Sequence, residues 1–98
     1  MIRHVVLLRF KPETASHTVR ELEQAFAALK HTLPLVQDLE WGPNTSPEGL
    51  DKGYTHCFFV TFANAEDRDA YLPHPVHQAF VEQVKPWLDD VLVIDYAI

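Results

Sequence analysis

The residue types best suited to chemistry lie close together in the segment Tyr71–Phe80, which reads YLPHPVHQAF. Pro75 predicts the first residue of a helix, a position that proline tolerates well. On that helix, His77 shares one side with three apolar residues at helical spacing, Phe80, Val81 and Val84. Because half-burial and the positive end of the helix both disfavour an imidazolium, His77 is predicted to stay neutral near pH 7 and to be able to act as a general base.

Three further polar side chains are candidates for the same site. His4 and His56 each lead the side-chain row of a predicted strand, and Tyr71 precedes the predicted helix. If those rows face the helices, the four side chains converge in a small pocket. Its apolar lining is predicted from the same rows and from the helix stripes: Val6, Leu8, Phe26, Phe58, Phe80 and Val84. The alternative is that His77 is a packing residue whose nitrogens bond to backbone or water.

Metal and cofactor sites are not predicted. His74 and His77 are three residues apart, but no carboxylate stands near them at ligand spacing. Cys57 directly follows His56 on a predicted strand, so the two side chains point to opposite faces and cannot share an ion. No glycine-rich phosphate loop is present, since the chain has three glycines and none lies in a nucleotide-binding pattern.

The hydrophobic periodicity predicts the elements that position these residues. Period-two patterns predict strands, and apolar residues spaced by three and four predict helices. The predicted order begins with a strand over 2–10, a helix through Val19 to Leu33 and a weaker strand over 35–41. It continues with a strand over 54–62, a short helix capped by Asn64 and running through Leu72, a helix over 75–85 and a strand over 91–96. Thr14, Ser16 and Thr18 are alternative caps of the first helix. This order is typical of an α+β, ferredoxin-like βαββαβ fold with helices on one face of a four-stranded antiparallel sheet.

The two best-defined strands are apolar on both faces. Val5 and Leu7 lie on one face of the first strand, and Cys57 and Phe59 lie on the corresponding face of the third. If the helices cover the other face, this one is left exposed to water. The simplest way to bury it is against the sheet of a second copy, so a homodimer is predicted.

Length and charge exclude several classes of protein. The 98 residues predict one domain spanning 1–98. Eight Lys and Arg against fourteen Asp and Glu give a net charge of −6, which argues against nucleic acid and anionic membranes as partners. The single cysteine excludes an internal disulfide, and no segment resembles a membrane span or a cleavable signal. We expect a cytoplasmic protein.

The chain resembles the stress-responsive dimeric A/B barrel (Dabb) family in four segments that occur in the family's order. These are HVVLLRFK at 4–11, Trp41-Gly42, GYTH at 53–56 with VTF at 60–62, and YLPHPVH at 71–77 with Ile94-Asp95-Tyr96. The resemblance covers essentially the whole chain. It implies a ferredoxin-like unit that dimerises sheet to sheet into a barrel.

Within this family, the chain is similar to a plant polyketide cyclase that closes a linear tetraketide thioester by aldol condensation without a cofactor. The resemblance implies that His77 and Tyr71 are catalytic and that His4 and His56 lie in the pocket. The first helix departs from that enzyme, because Glu23 and Phe26 stand where it has Phe and Tyr along its alkyl tunnel.

The predicted function is therefore a cofactor-independent lyase or cyclase that acts on a small apolar or polyketide-like ligand. In it, His77 removes a proton and Tyr71 orients the substrate or stabilises the enolate. The alternatives are a non-catalytic stress-associated dimer that binds an apolar ligand, and a cofactor-free monooxygenase on the same barrel.

Overall fold

The computed structural model describes residues 1–98. In chain order the elements are β1 (Ile2–Phe10), α1 (Ser16–Ala27), α2 (Leu29–Thr32), β2 (Asp38–Pro43), β3 (His56–Phe62), α3 (Ala65–Tyr71), α4 (Pro75–Val84), a 3-10 turn (Lys85–Trp87) and β4 (Leu88–Ala97). The strands form one antiparallel sheet in the order β2-β3-β1-β4. This is the predicted ferredoxin-like α+β architecture, with β1 in the interior of the sheet and β4 at one edge.

Alternation along β1 gives the sheet a helix-covered face and an open face. Ile2, His4, Val6 and Leu8 are buried, whereas the residues between them are only partly buried. The register places Val5 between Phe59 of β3 and Ile94 of β4, so all three side chains lie on the open face. This face is the apolar surface that the sequence predicted.

Several element boundaries differ from those predicted. β3 begins at His56 and not at 54, and β4 begins at Leu88 and not at 91. The first helix is divided at Ala28 into α1 and α2, and its N-cap is Ala15, which has no side-chain cap, so none of the three candidate caps is used. The second strand begins at Asp38, because the chain first makes a turn in which the Val36 N–H donates to the Leu33 carbonyl over 3.0 Å. Val36 is nevertheless buried, and its apolar side chain accounts for the strand prediction.

The starts of α3 and α4 agree with the sequence prediction, and both bear on the site. Asn64 accepts the Asp67 N–H through its side-chain oxygen over 2.8 Å. His74 occupies the N-cap of α4, where its Nδ1 accepts the Val76 N–H over 3.1 Å, and Pro75 is the first helical residue. Asn64 therefore fixes the start of the helix that ends at Tyr71, and His74 and Pro75 fix the start of the helix that carries His77.

The hydrophobic core lies between the helices and the covered face of the sheet. Fifteen buried apolar residues form one cluster, in which Phe26 of α1 stacks on Phe58 of β3 with ring centroids 4.0 Å apart. Tyr71 belongs to this cluster, and its side chain is completely buried. On the open face, by contrast, Ile94 is 59% and Tyr96 48% exposed. None of the helices has the length and apolar character needed to cross a membrane.

Candidate functional site

A cavity of about 470 Å³ lies between the α3–α4 segment and the β1–β4 half of the sheet. Eleven of its fourteen lining residues are hydrophobic, so it suits a mainly apolar ligand. The three polar residues that line it are His4, His77 and Lys85, and the eleven hydrophobic ones include Tyr71. Its apolar wall consists of Val6, Leu8, Phe26, Leu72, Phe80, Val81, Val84, Leu88, Val91 and Val93.

His77 is held with one nitrogen bonded and the other free. Its Nδ1 lies 2.8 Å from the carbonyl oxygen of Leu72, and because a carbonyl can only accept, Nδ1 carries the proton. Nε2 has no partner within the protein. Burial lowers the pKa of His77 from its ordinary value of 6.5, as do the neighbouring His4 and His74, although the bond to Leu72 acts in the opposite direction. The neutral imidazole therefore presents a proton-accepting nitrogen.

Tyr71 packs directly against His77. The two ring centroids are 4.2 Å apart. The Tyr71 hydroxyl is buried and has no hydrogen-bond partner in the protein, which is uncommon for a buried polar atom. Burial raises the pKa of Tyr71, so the phenol stays protonated and can donate a hydrogen bond. A ligand oxygen in the cavity would satisfy this hydroxyl.

His4 also lies beside Tyr71, with ring centroids 6.1 Å apart. Its Nδ1 is 2.7 Å from Oδ1 of Asp95 on β4. Oδ2 of the same carboxylate accepts from Nη1 of Arg68 over 2.8 Å. The Asp95 carboxylate therefore connects His4 of β1 to Arg68 of α3 through hydrogen bonds.

The expectation that His56 and Phe58 line the same cavity is not met. Nε2 of His56 bonds to Oε2 of Glu23 over 2.6 Å, and its Nδ1 is 2.8 Å from the Thr55 hydroxyl. The side chain stacks beside Trp41, at 6.0 Å between centroids. The reason is the strand order: β3 lies on the far side of β1 from β4, and the cavity lies over β1 and β4. Phe58 is shielded from the cavity by the Phe26 ring stacked on it.

The other predicted site residues lie together at the cavity. His77, Tyr71, His4, Val6, Leu8, Phe26, Phe80 and Val84 all line it. Sequence reasoning missed the contribution of β4, where Val91 and Val93 line the cavity and Asp95 holds His4. The period-two spacing of Val91, Val93 and Asp95 could have indicated that their side chains share one face of β4. It could not indicate the register of β4 against β1, in which His4 pairs with Asp95.

The remaining candidate chemistry lies elsewhere or is not supported. No group of three or more His, Cys, Asp or Glu side chains is arranged to hold a metal ion. Cys57 is a partly buried free thiol on the open face of the sheet. Burial raises the pKa of Cys57, with a further contribution from Glu40, and this disfavours the reactive thiolate.

Comparison with known proteins places the chain among relatives of the same fold. Residues 2–98 match the stress responsive A/B barrel domain (Dabb). The chain is 37% identical to the stress-response A/B barrel domain-containing protein HS1 of Arabidopsis thaliana, over 97% of this chain and 87% of the relative. It is 28% identical to olivetolic acid cyclase of Cannabis sativa, over 97% of this chain and 94% of that enzyme.

A crystal structure of a dimeric ferredoxin-like protein from Jannaschia sp. CCS1 superposes with a TM-score of 0.84 at 28% identity, covering 99% of this chain and 98% of that one. The fold, the segments quoted above and the match over nearly the whole length lead to one assignment. The chain belongs to the stress-responsive A/B barrel (Dabb) family.

Proposed function

We propose that this protein is a homodimer whose subunits each bind a small, mainly apolar carbonyl compound and remove a proton from the carbon next to the carbonyl, without a cofactor. In this proposal His77 is the general base and Tyr71 is the hydrogen-bond donor to the carbonyl oxygen. One observation carries it: a buried phenol with no partner stands against an imidazole whose Nε2 is free, on the wall of an apolar cavity.

The two residues have complementary roles in the proposed step. Nε2 of His77 takes the α-proton, and the electrons of the broken C–H bond move onto the carbonyl oxygen to form an enolate. The Tyr71 O–H donates to that oxygen, and such a bond strengthens as negative charge develops in a site from which water is largely excluded. The lowered pKa of His77 keeps the base form available at neutral pH.

The enolate then needs an electrophile, and an intramolecular carbonyl is sufficient. In an aldol closure the enolate carbon forms a C–C bond to a second carbonyl carbon of the same molecule. The resulting alkoxide takes back the proton from the His77 imidazolium, so the step is balanced with no other reactant. Support for this class comes from olivetolic acid cyclase, a relative that is by name a cyclase.

The homodimer is proposed from the open face of the sheet. This face carries Val5, Leu7 and Phe59 together with the exposed Ile94 and Tyr96. A contiguous apolar sheet face of this kind is rarely left to water in a soluble protein. The similar Jannaschia protein is a dimer with a ferredoxin-like fold, and this supports the same arrangement here.

The reaction can be tested with a linear tetraketide thioester of N-acetylcysteamine as the probe. We expect the protein to accelerate formation of the ring-closed aldol product, detected as its dehydrated aromatic thioester or as the acid that hydrolysis of this thioester releases, above the spontaneous lactone. His77→Gln should remove that acceleration. Formation of lactone alone, at the same rate with and without protein, would count against a cyclase. Equal acceleration by the His77→Gln variant would rule out His77 as the base.

A second candidate function is an apolar-ligand-binding dimer that performs no chemistry. It is favoured by the predominance of hydrophobic residues in the cavity wall. The two functions differ in what Tyr71 and His77 contribute. A pure binder of apolar ligands retains its affinity for a hydrocarbon probe such as an alkylbenzene in Tyr71→Phe and shows no α-proton exchange.

A further inference from the structure

We infer that Arg68 is a positioning residue for this site: by pairing with Asp95 it holds the carboxylate against Nδ1–H of His4, so that Nε2 of His4 is the nitrogen left for a ligand in the cavity. The inference rests on the proposed function for its catalytic meaning. The hydrogen bonds among Arg68, Asp95 and His4, from which it is inferred, can be tested whether or not the protein is an enzyme. The spacing of reactive residues along the chain singled out His4 but neither Asp95 nor Arg68.

These hydrogen bonds run from the surface to the cavity through three side chains on three elements. Arg68 of α3 donates from Nη1 to Oδ2 of Asp95, and Oδ1 of Asp95 accepts from Nδ1 of His4, at 2.8 and 2.7 Å. His4 is 95% buried, since 5% of its surface is exposed, and it lines the cavity. Because a carboxylate only accepts, the proton lies on Nδ1, and Nε2 is the nitrogen left for a ligand.

Asp95 alone would hold His4 less well. Its side chain lies on the edge strand β4 and is 21% exposed, so without a second partner it can rotate towards water. The Arg68 guanidinium bonds the far oxygen of the carboxylate, so it opposes that rotation.

The other groups around His4 do not replace Arg68. The charged or titratable side chains that face His4 are Asp95 on β4, Tyr71 on α3 and His77 on α4, with Arg68 acting through Asp95. Neither Tyr71 nor His77 bonds Asp95: the Tyr71 hydroxyl has no partner, and Nδ1 of His77 donates to the Leu72 carbonyl. Arg68 is therefore the group that holds the far oxygen of Asp95.

Arg68 has a second partner that provides a matched control. Its Nε donates to Oδ1 of the exposed Asp69 over 2.8 Å, a contact that does not lead to the cavity. Asp69→Asn therefore removes one charge beside Arg68 and leaves the Arg68–Asp95 bond in place. Arg68 also lies one helical turn before Tyr71 on α3, so the same ion pair ties the helix that carries the phenol to β4.

The test is ¹⁵N NMR of the histidine imidazoles at pH 7 in the dimer without ligand. The parent and Asp69→Asn should show a single hydrogen-bonded Nδ1–H resonance for His4. In Arg68→Met that resonance should broaden or disappear as the carboxylate moves away from Nδ1, and Arg68→Lys should restore most of it.

An unchanged His4 spectrum in a folded Arg68→Met protein would overturn the inference. If Arg68→Met does not fold, Arg68→Gln takes its place: an unchanged His4 spectrum in that variant, or loss of the hydrogen-bonded Nδ1–H resonance in Asp69→Asn, would equally count against it. These spectra do not depend on turnover. Failure of the cyclisation experiment alone would therefore reject the proposed chemistry and leave the role of Arg68 standing.

Discussion

The phenol ring of Tyr71 lies against the imidazole of His77 with 4.2 Å between centroids and an angle of 36° between the ring planes. One ring carries a hydrogen-bond donor with no partner, and the other carries an acceptor nitrogen with no partner. Both are supplied by the segment between the end of α3 and the first turn of α4. The pair therefore combines a donor for a carbonyl oxygen with a base for the neighbouring carbon.

The unpaired hydroxyl predicts opposite effects of Tyr71→Phe on stability and on activity. Leaving a buried polar group unsatisfied costs about 1–3 kcal/mol, so removing the oxygen should leave the free energy of unfolding unchanged or raise it. Turnover should fall ~100-fold, as expected for loss of one donor to a developing oxyanion. Urea denaturation and steady-state kinetics measure the two effects. A variant that loses both stability and activity would mean that the hydroxyl is structural.

His77 should titrate below 6.5 in the folded protein, because burial opposes its cation. The unfolded chain then binds this proton at a higher pH than the native state does. The contribution to stability is therefore fully present above pH 6.5 and is lost as the pH falls from 6.5 through the lowered folded value. NMR titration, with His77→Gln used to assign the resonance, reports the midpoint. A midpoint at or above 6.5 would contradict the buried, neutral base.

The pair of His56 and Glu23 should matter for stability and not for the cavity. Both side chains are largely buried, and their bond is 2.6 Å long. Glu23→Ala should lower the free energy of unfolding by about 1–3 kcal/mol, since it removes a hydrogen bond to a charged group and leaves a buried imidazole nitrogen unpaired. Glu23→Gln retains a bonding group and is the control. Ligand affinity should be unchanged in both, and a large loss of affinity would place His56 in the functional site after all.

Dimerisation should depend on the open face of the sheet. Leu7 pairs with Leu92 of β4 and with Cys57 of β3 on that face. Leu7→Glu buries an unpaired charge at the proposed interface and should dissociate the dimer or cause aggregation, with a loss of several kcal/mol of stability. Gln24→Glu adds the same charge to the exposed surface of α1 and should have little effect. Light scattering distinguishes the states, and a stable Leu7→Glu dimer would refute the proposed interface.

The sequence predicted the fold in detail because the strands alternate strongly and the helices have distinct signals. Asn64 and Pro75 marked the starts of α3 and α4, and the apolar stripe of α4 placed His77 on the inner side. The break at Ala28 was missed because the apolar spacing continues from Phe26 through Leu29 to Leu33 across it.

The site was less predictable, because strand order and register are tertiary properties. His4 and His56 have equivalent positions on their own strands, yet β1 lies under the cavity and β3 does not. Similarly, the role of Asp95 follows from its pairing with His4 across the sheet, and that of Arg68 from its approach to Asp95. Spacing along the chain contains neither relationship.

The central claim is that His77 removes a proton next to a carbonyl, and α-proton exchange measures this step without requiring ring closure. A hexanoyl thioester of N-acetylcysteamine incubated in D₂O can be followed by NMR for loss of its α-proton signal. The parent protein should accelerate exchange above the buffer rate, Tyr71→Phe should do so ~100-fold more slowly, and His77→Gln should not exceed buffer. Equal exchange with the parent and with His77→Gln would contradict the assignment of His77 as the base.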